Sequence, residues 1–356
     1  MKGIDFPIFK TKMSGAGGKK FDLTDSAERR KYFELKAGKE IKKLREYLKK
    51  KTFVAYLLGK KNSGKGTYAK MLQEIVDPKH IEHVSIGDMV RKFDEVKKDK
   101  KKKKEFVSFI ENNYRGYSSP KDIIDAFLGR STKNLLPSEL ILALMKKEMA
   151  EKGRKAIFID GFPRELDQIS YTLFLRDLID YRNDPDVFIL IDVPEKVIDE
   201  RIKYRLICPL CQTSRSSKLL PTKNVYYDEK TKSFGLICDN AGCKGAKMVT
   251  KEGDQYGTAP IKDRLVKDED LMRKVNGLHG VPKIFLRNAV PVAKAKQKVD
   301  GYELTPEYVY EVKNGKVVVT EKPWQVTDDE GNPSFSLMPP PVVVSLIKQL
   351  VKALGL

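Results

Sequence analysis

The run Thr52-Phe53-Val54-Ala55-Tyr56-Leu57-Leu58 followed by Gly59-Lys60-Lys61-Asn62-Ser63-Gly64-Lys65-Gly66-Thr67 decides the reading of this chain. Residues 52–58 are apolar without interruption, as a strand buried on both faces requires. The next nine have the pattern G-x-x-x-x-G-K-[GST], and Tyr68 to Ile75 continues with helical periodicity. Glycines let the backbone curl with its N–H groups inward, and a helix N-terminus adds the positive end of its dipole. Such a loop cradles phosphate. Lys65 can reach the β- and γ-phosphates, and Thr67 or a water can reach Mg²⁺. Gly59, Asn62, Ser63, Gly64, Lys65, Gly66 and Thr67 are therefore the expected nucleotide-phosphate ligands.

Moving outward, strand and helix signals alternate. Ile81 to Ile86, Ala156 to Asp160 and Val187 to Val193 read as further strands, and Glu195 to Arg205 reads as a helix. Alternation of this kind predicts an α/β fold with a parallel sheet flanked by helices. Residues 105–150 read as helical, with a helix start near Ser138. The segment 301–343 is strand-like and Pro-rich, and a helix from Val342 to Leu354 follows it. Residues 1–24 read as a polar arm. Asp25 to Lys51 reads as a helix whose Leu35, Ile41, Leu44 and Leu48 form an apolar stripe beside a basic face.

The chain has 356 residues, enough for one domain with insertions or for two. Its net charge of +20 suits polyanionic ligands, and the basic helix 25–51 is the expected place for any polyanion contact. The lysine run 97–104 reads as a solvated linker or helix face. With no apolar stretch long enough to span a bilayer and no continuous signal-like segment at the N-terminus, the expectation is a cytoplasmic protein, taken as a monomer.

Further charged groups lie along the chain beyond the loop. Phosphoryl transfer needs charge neutralisation, in-line positioning and exclusion of water, with little covalent work. Lys65, Arg91, Arg164, Arg201 and Arg205 can supply positive charge, and arginine grips phosphate oxygens with its planar fork. Asp160, at a strand end beside the loop, can orient a Mg²⁺ shell.

Four segments in order make the chain resemble the adenylate kinase family of nucleoside monophosphate kinases. They are Ser85-Ile86-Gly87-Asp88-Met89-Val90-Arg91, Leu135-Leu136-Pro137-Ser138-Glu139, Asp160-Gly161-Phe162-Pro163-Arg164 with Gln168, and Arg201-Ile202-Lys203-Tyr204-Arg205. The resemblance implies a P-loop core at 51–91, 151–205 and 261–356. It also implies a helical acceptor-binding insertion at 92–150 and a lid at 206–260, and it leaves residues 1–50 as an extra arm and basic helix. It implies transfer from ATP·Mg to AMP, with Ser85, Arg91, Gly161, Arg164 and Gln168 around the acceptor and Gln168 bonding the base. Lys262 and Arg273, eleven residues apart, would be the lid's second basic pair, with Arg264 as an alternative partner and Arg273 as the carried-over arginine. Two departures stand out. Lys61-Asn62 replaces a Pro-Gly pair, a change that Asn tolerates because it accepts positive φ. Ile86 replaces a threonine that touches the adenine of AMP, which keeps UMP or CMP as alternative acceptors.

All the cysteines lie in one segment, as Cys208-Pro209-Leu210-Cys211 and Cys238-Asp239-Asn240-Ala241-Gly242-Cys243. Two close pairs joined by a hairpin through Val225 to Tyr227 and Phe234 to Ile237 can complete a tetrahedral S₄ shell for Zn²⁺. Four thiolates leave no open position, so the expected metal is structural. A different class of function also fits: a P-loop protein binding nucleic acid through this zinc ribbon, with Tyr226, Tyr227 and Phe234 as stacking rings. That reading leaves Gly161 to Arg164 unexplained.

Overall fold

The computed structural model describes residues 3–13, 20–89, 99–128, 136–179, 181, 183–211, 213–251 and 253–356. Its centre is a five-stranded parallel sheet of β1 (Val54–Gly59), β2 (Ile81–Ser85), β3 (Ala156–Asp160), β4 (Asp186–Asp192) and β10 (Lys283–Arg287), in the order β10-β4-β1-β3-β2. Every residue of β1 is buried. Side chains alternate across the pleat. Ala55 and Leu57 join one apolar cluster, with Leu44, Leu72, Val343 and Leu346 from helices α1 (Ser26–Leu48), α2 (Lys65–Val76) and α10 (Pro339–Ala353). Tyr56 and Leu58 join the other, with Leu144, Met145, Leu175 and Leu271 from α5 (Ser138–Lys152), α6 (Gln168–Leu178) and α8 (Lys262–Asn276). The sheet is thus covered on both faces, the reason its central strands carry unbroken apolar runs.

The expected helical region 105–150 is split into α3 (Lys100–Asn113), α4 (Pro120–Leu128) and α5. Asp99 caps α3 by accepting from Lys101 N and Lys102 N, so the described part of the lysine run forms an exposed first turn. After β4, α7 (Glu195–Lys203) leads into β5 (Arg205–Ile207), which pairs with β6 (Ser214–Ser216) and β9 (Val249–Thr250). The hairpin β7 (Asn224–Asp228) and β8 (Ser233–Ile237) lies between them in sequence. β11 (Val290–Pro291), β14 (Val326–Thr327) and β15 (Pro333–Phe335) form a small antiparallel sheet, with α9 (Val292–Lys298) after β11. A long hairpin, β12 (Pro306–Lys313) and β13 (Lys316–Pro323), projects from this C-terminal region. Asn314 and Gly315 turn it with positive φ at both positions, a geometry that matches strand twist.

The N-terminal segment is more firmly attached than its polar sequence suggests. Ile4 and Phe6 are buried, and the Phe6 ring meets Phe285 edge-on at 5.7 Å. α1 packs its apolar face on α10 and α2, leaving its basic face outward. A buried carboxylate, Glu303, locks the arrangement: it accepts from Tyr32 Oη at 2.6 Å, from Thr11 Oγ1 at 2.5 Å and from Asp300 N at 2.7 Å. Lys36 Nζ lies 3.7 Å from Glu303 and donates to Asp300 at 2.7 Å and to the Thr11 carbonyl at 2.9 Å. Among the described residues, no helix is long and apolar enough to cross a membrane.

Candidate active site

Parallel strands end side by side, so the C-terminal edge of the sheet collects the loops that follow each strand. β1 delivers the phosphate loop there. Asn62 has φ 65° and Gly64 has φ 99°, so the Lys61-Asn62 departure preserves the curl. A Cβ at Gly59 would lie 2.7 Å from Ser63 Oγ and 2.9 Å from the Ile191 carbonyl, too close for any side chain. The first turn of α2 has no side-chain cap and leaves its N–H groups facing the cleft. Lys65 Nζ arches back over the loop and donates to the carbonyls of Gly59 (2.7 Å) and Lys60 (3.1 Å). Lys60 itself points the other way. It is buried and held by Glu269, Glu195 and Asp329 at 2.7, 3.1 and 3.1 Å, which raises its pKa against the cost of burial.

β3 brings Asp160 beside the loop, in register with Leu57 of β1 and Ser85 of β2. Burial pushes its carboxyl up, but His83, Lys65 and Arg164 outweigh burial and hold it below the usual carboxylate range. His83 Nε2 lies 3.9 Å from Asp160 Oδ2. Ser85 Oγ accepts from Asp88 N at 3.2 Å and caps the turn that follows β2. Gly161 has φ 90°, and a Cβ there would lie 2.7 Å from Arg164 Nη2. The glycine thus allows the guanidinium to fold back against the strand end. Gln168 is buried; its Oε1 accepts from Arg164 N at 2.8 Å and its Nε2 donates to Ser138 Oγ at 2.9 Å. Arg91 lies outside the described residues.

Arg201 and Arg205 come from the end of α7 and the start of β5. Both line one cleft of about 740 Å³ together with Asn62, Gly64 to Thr67, His83, Ser85, Asp88 and Asp160. Arg201 Nη2 reaches Asn288 Oδ1 at 3.4 Å. Arg205 is bidentate to Asp254 at 2.7 and 2.6 Å and donates its third bond to Asn62 Oδ1 at 3.0 Å, which ties the lid to the phosphate loop.

Arg273 is not brought to this cleft. It pairs with Asp270 at 2.7 Å and Glu269 at 3.0 Å on the outer face of α8, and it is exposed there. Eleven residues are three helical turns, so Lys262 and Arg273 do share a face, but that face is the outward one. Arg264 lies on the other side, within electrostatic reach of Lys61 and of Asp268, whose carboxylate accepts from Lys61 N at 2.8 Å. His83, Asp254, Asp268 and the carboxylates around Lys60 belong to no motif and were not expected from sequence. Only spatial proximity marks them.

The cysteines meet in the lid. Their Sγ atoms lie within 4.8 Å of one another, and Cys211 and Cys238 are 3.6 Å apart. A tetrahedral ion with bonds of about 2.3 Å holds its sulfurs about 3.8 Å apart, so the four thiols fit a metal such as Zn²⁺. The Thr213 hydroxyl beside Cys211 lowers its thiol to about 6, opposing burial. The rings expected to stack bases are engaged within the protein. Tyr227 and Phe234 pack at 5.0 Å, Phe234 meets Tyr310 at 5.5 Å, and Tyr226 lies under Lys247 at 4.3 Å.

A family profile described as an AAA domain matches residues 58–206, the stretch that contains the phosphate loop, Asp160 to Arg164 and the first lid arginines. A protein named adenylate kinase from Thermotoga petrophila is 32% identical over 248 residues, covering 65% of this chain and 94% of that one. The chain belongs to the adenylate kinase family. Further members similar to it are the adenylate kinases of Staphylococcus epidermidis, 31% identical over 210 residues (59% of this chain, 78% of the relative), and of Hydrogenobaculum sp., 29% identical over 217 residues (61% and 83%). As a member of this family the chain is a nucleoside monophosphate kinase.

Proposed function

We propose that this kinase transfers the γ-phosphoryl group of ATP·Mg to AMP, giving two ADP. The observation that carries the reading is the convergence of Lys65, Asp160, Arg201 and Arg205 on one cleft, with the Gly161–Arg164 turn and Gln168 beside it. In this scheme the phosphate loop and α2 hold the donor phosphates, and Lys65 exchanges its two loop carbonyls for β- and γ-phosphate oxygens. The depressed pKa of Asp160 keeps it anionic at neutral pH, ready to orient the water shell of Mg²⁺, which neutralises phosphate charge when bound. Arg164, Arg201, Arg205 and Arg91 stabilise the charge on the transferred group. Arg264, rather than Arg273, supplies the last lid cation.

Acceptor choice rests on Gln168. Its amide makes two bonds in the fold yet retains a second N–H and a second lone pair for a base edge. Ile86 is buried in the core cluster and offers no hydroxyl to adenine. Cys208, Cys211, Cys238 and Cys243 would hold Zn²⁺ as a staple for a lid with little apolar core of its own. Closure of the lid and of the helices at 100–152 would exclude water and suppress ATP hydrolysis.

The test is kcat/KM with AMP, UMP, CMP, GMP and dTMP at saturating ATP·Mg. AMP should exceed every other acceptor by about 100-fold or more, the discrimination that a base-edge hydrogen bond gives. A preference for UMP or CMP would keep the chemistry and overturn the acceptor assignment.

A further inference from the structure

The cleft has both polar and apolar lining. Lys65, Arg201 and Arg205 are among its polar residues, and Leu219, Leu220, Leu337, Met338 and Pro339 supply apolar surface. With phosphates on the loop, this apolar surface is left for the donor's base. Two of its walls, Leu219 and Leu220, belong to the strap Ser216–Leu220 that follows the short strand β6.

One side of the strap is fixed to the core. Ser217 N donates to the Tyr204 carbonyl at 2.9 Å, and Lys218 Nζ pairs with Glu200 at 2.6 Å. Its other side is held by the hairpin β12–β13. Tyr308 N donates to the Lys218 carbonyl at 2.8 Å, the Tyr310 hydroxyl donates to the Ser217 carbonyl, and Glu307 lies 3.4 Å from Lys218 Nζ. The Tyr310 ring also packs on Phe234 of β8. Burial pushes the Tyr310 hydroxyl up to about 12, so it remains a neutral donor throughout the working pH range.

We infer that the hairpin β12–β13 is a brace that holds Leu219 and Leu220 in place against the donor nucleotide's base, with Tyr310 and Glu307 as its positioning residues. This rests on the assignment of the cleft to a donor nucleotide. A strap with two fixed sides keeps the binding-competent wall populated before the nucleotide arrives. Releasing one side lowers that population, and apparent donor affinity falls in proportion, while the bound complex and its chemistry stay the same. The signature is therefore a raised KM for ATP at unchanged kcat and unchanged acceptor KM. The hairpin lends itself to removal, because Pro306 and Pro323 are register partners at its base and a Gly-Gly link can join them.

Two variants read the brace: Tyr310→Phe, which keeps the ring on Phe234 and removes only the hydroxyl, and replacement of residues 307–322 by Gly-Gly. Steady-state kinetics, calorimetric ATP affinity and metal content are measured for both. The Gly-Gly variant should raise both KM and Kd for ATP about tenfold, with kcat and acceptor KM within about twofold of wild type. Tyr310→Phe should raise them about threefold, as loss of one net hydrogen bond predicts. Unchanged ATP affinity in folded Tyr310→Phe and Gly-Gly proteins overturns the brace. So does a parallel fall in kcat and both affinities with loss of metal, which marks a general structural role. Should the Gly-Gly protein not fold, Tyr310→Phe decides. Absence of any nucleoside diphosphate from wild type would defeat the kinase assignment instead, and calorimetric ATP affinity would still decide the brace.

Discussion

The nucleotide cleft and the lid are ordered by different physics. The cleft is hung on a sheet whose two faces are covered by large apolar clusters, so its polar side chains are guests of a scaffold that stands without them. Among the described residues the lid's buried cluster is Cys208, Leu236, Cys238, Cys243 and Met248, with Leu206, Cys211, Val225 and Ala246 packed against it, and thiols make up much of it. A group that small does little to offset the entropy of ordering the lid's loops, and the proposed metal would supply the difference. In the cleft, function and stability are separable. In the lid they are one.

The sharpest way to break this comparison is Lys65→Ala. Turnover should fall by about 1000-fold or more, since a cation on the transferring phosphate is worth several kcal/mol in a dry site. The melting temperature should move by less than about 2 °C, because among the described residues the hydrogen bonds of Lys65 go to loop carbonyls and its apolar stem joins neither large core cluster. A large loss of stability would show that the cleft is not a guest after all.

Next in size is Cys238→Ser, or prolonged chelation of the wild type. Bound zinc should disappear, the segment 208–250 should lose hydrogen-exchange protection, and turnover should drop about 10- to 100-fold, while the main thermal transition of the sheet persists. If the whole chain unfolds in one step, the lid is a part of the core rather than an appendage.

A finer contrast lies within α8. Arg264→Ala should lower kcat/KM about tenfold, and Arg273→Ala should leave it within about twofold, as expected for an exposed ion pair. Equal effects would contradict the facing of the helix described above.

The smallest effect concerns Lys61. Burial, with Arg264, Lys251 and Arg205 nearby, lowers its pKa from 10.5 to about 8. The unfolded chain therefore binds more protons above pH 8, and this group makes the fold gain stability as pH rises from about 8 to 10.5. Lys61→Met should raise the melting temperature at pH 7 and flatten that rise. An unchanged pH profile would show that the ammonium is not held among these cations.

The core was legible in sequence because its chemistry is local. Residues 52–67 specify strand, loop and helix by themselves, and Asp160 to Arg164 sit where a strand must end. The cysteine spacing likewise announced its cluster. Legibility failed where three-dimensional facing decides. Arg273 had the expected spacing, but a spacing of three turns does not say which face meets the loop. β10 is not legible because a five-residue strand that begins at Lys283 and ends at Arg287 gives no long apolar run. The arm at 3–13 reads as polar because its buried residues Ile4, Phe6 and Thr11 are set among lysines and other polar residues with no helical or strand periodicity. Glu303 and its partners Tyr32, Thr11 and Lys36 are hundreds of residues apart in sequence or nearly so, and nothing local joins them.

The central claim is that this cleft passes a phosphoryl group between two nucleotides and denies it to water. The most direct measurement follows ATP, AMP, ADP and phosphate together by chromatography, with zinc-loaded protein and ATP·Mg in the presence and absence of AMP. The account predicts two ADP formed per AMP consumed, and ADP formation without AMP slower by about 1000-fold, the scale on which a closed site excludes water. Equal release of ADP and free phosphate with or without AMP would contradict it.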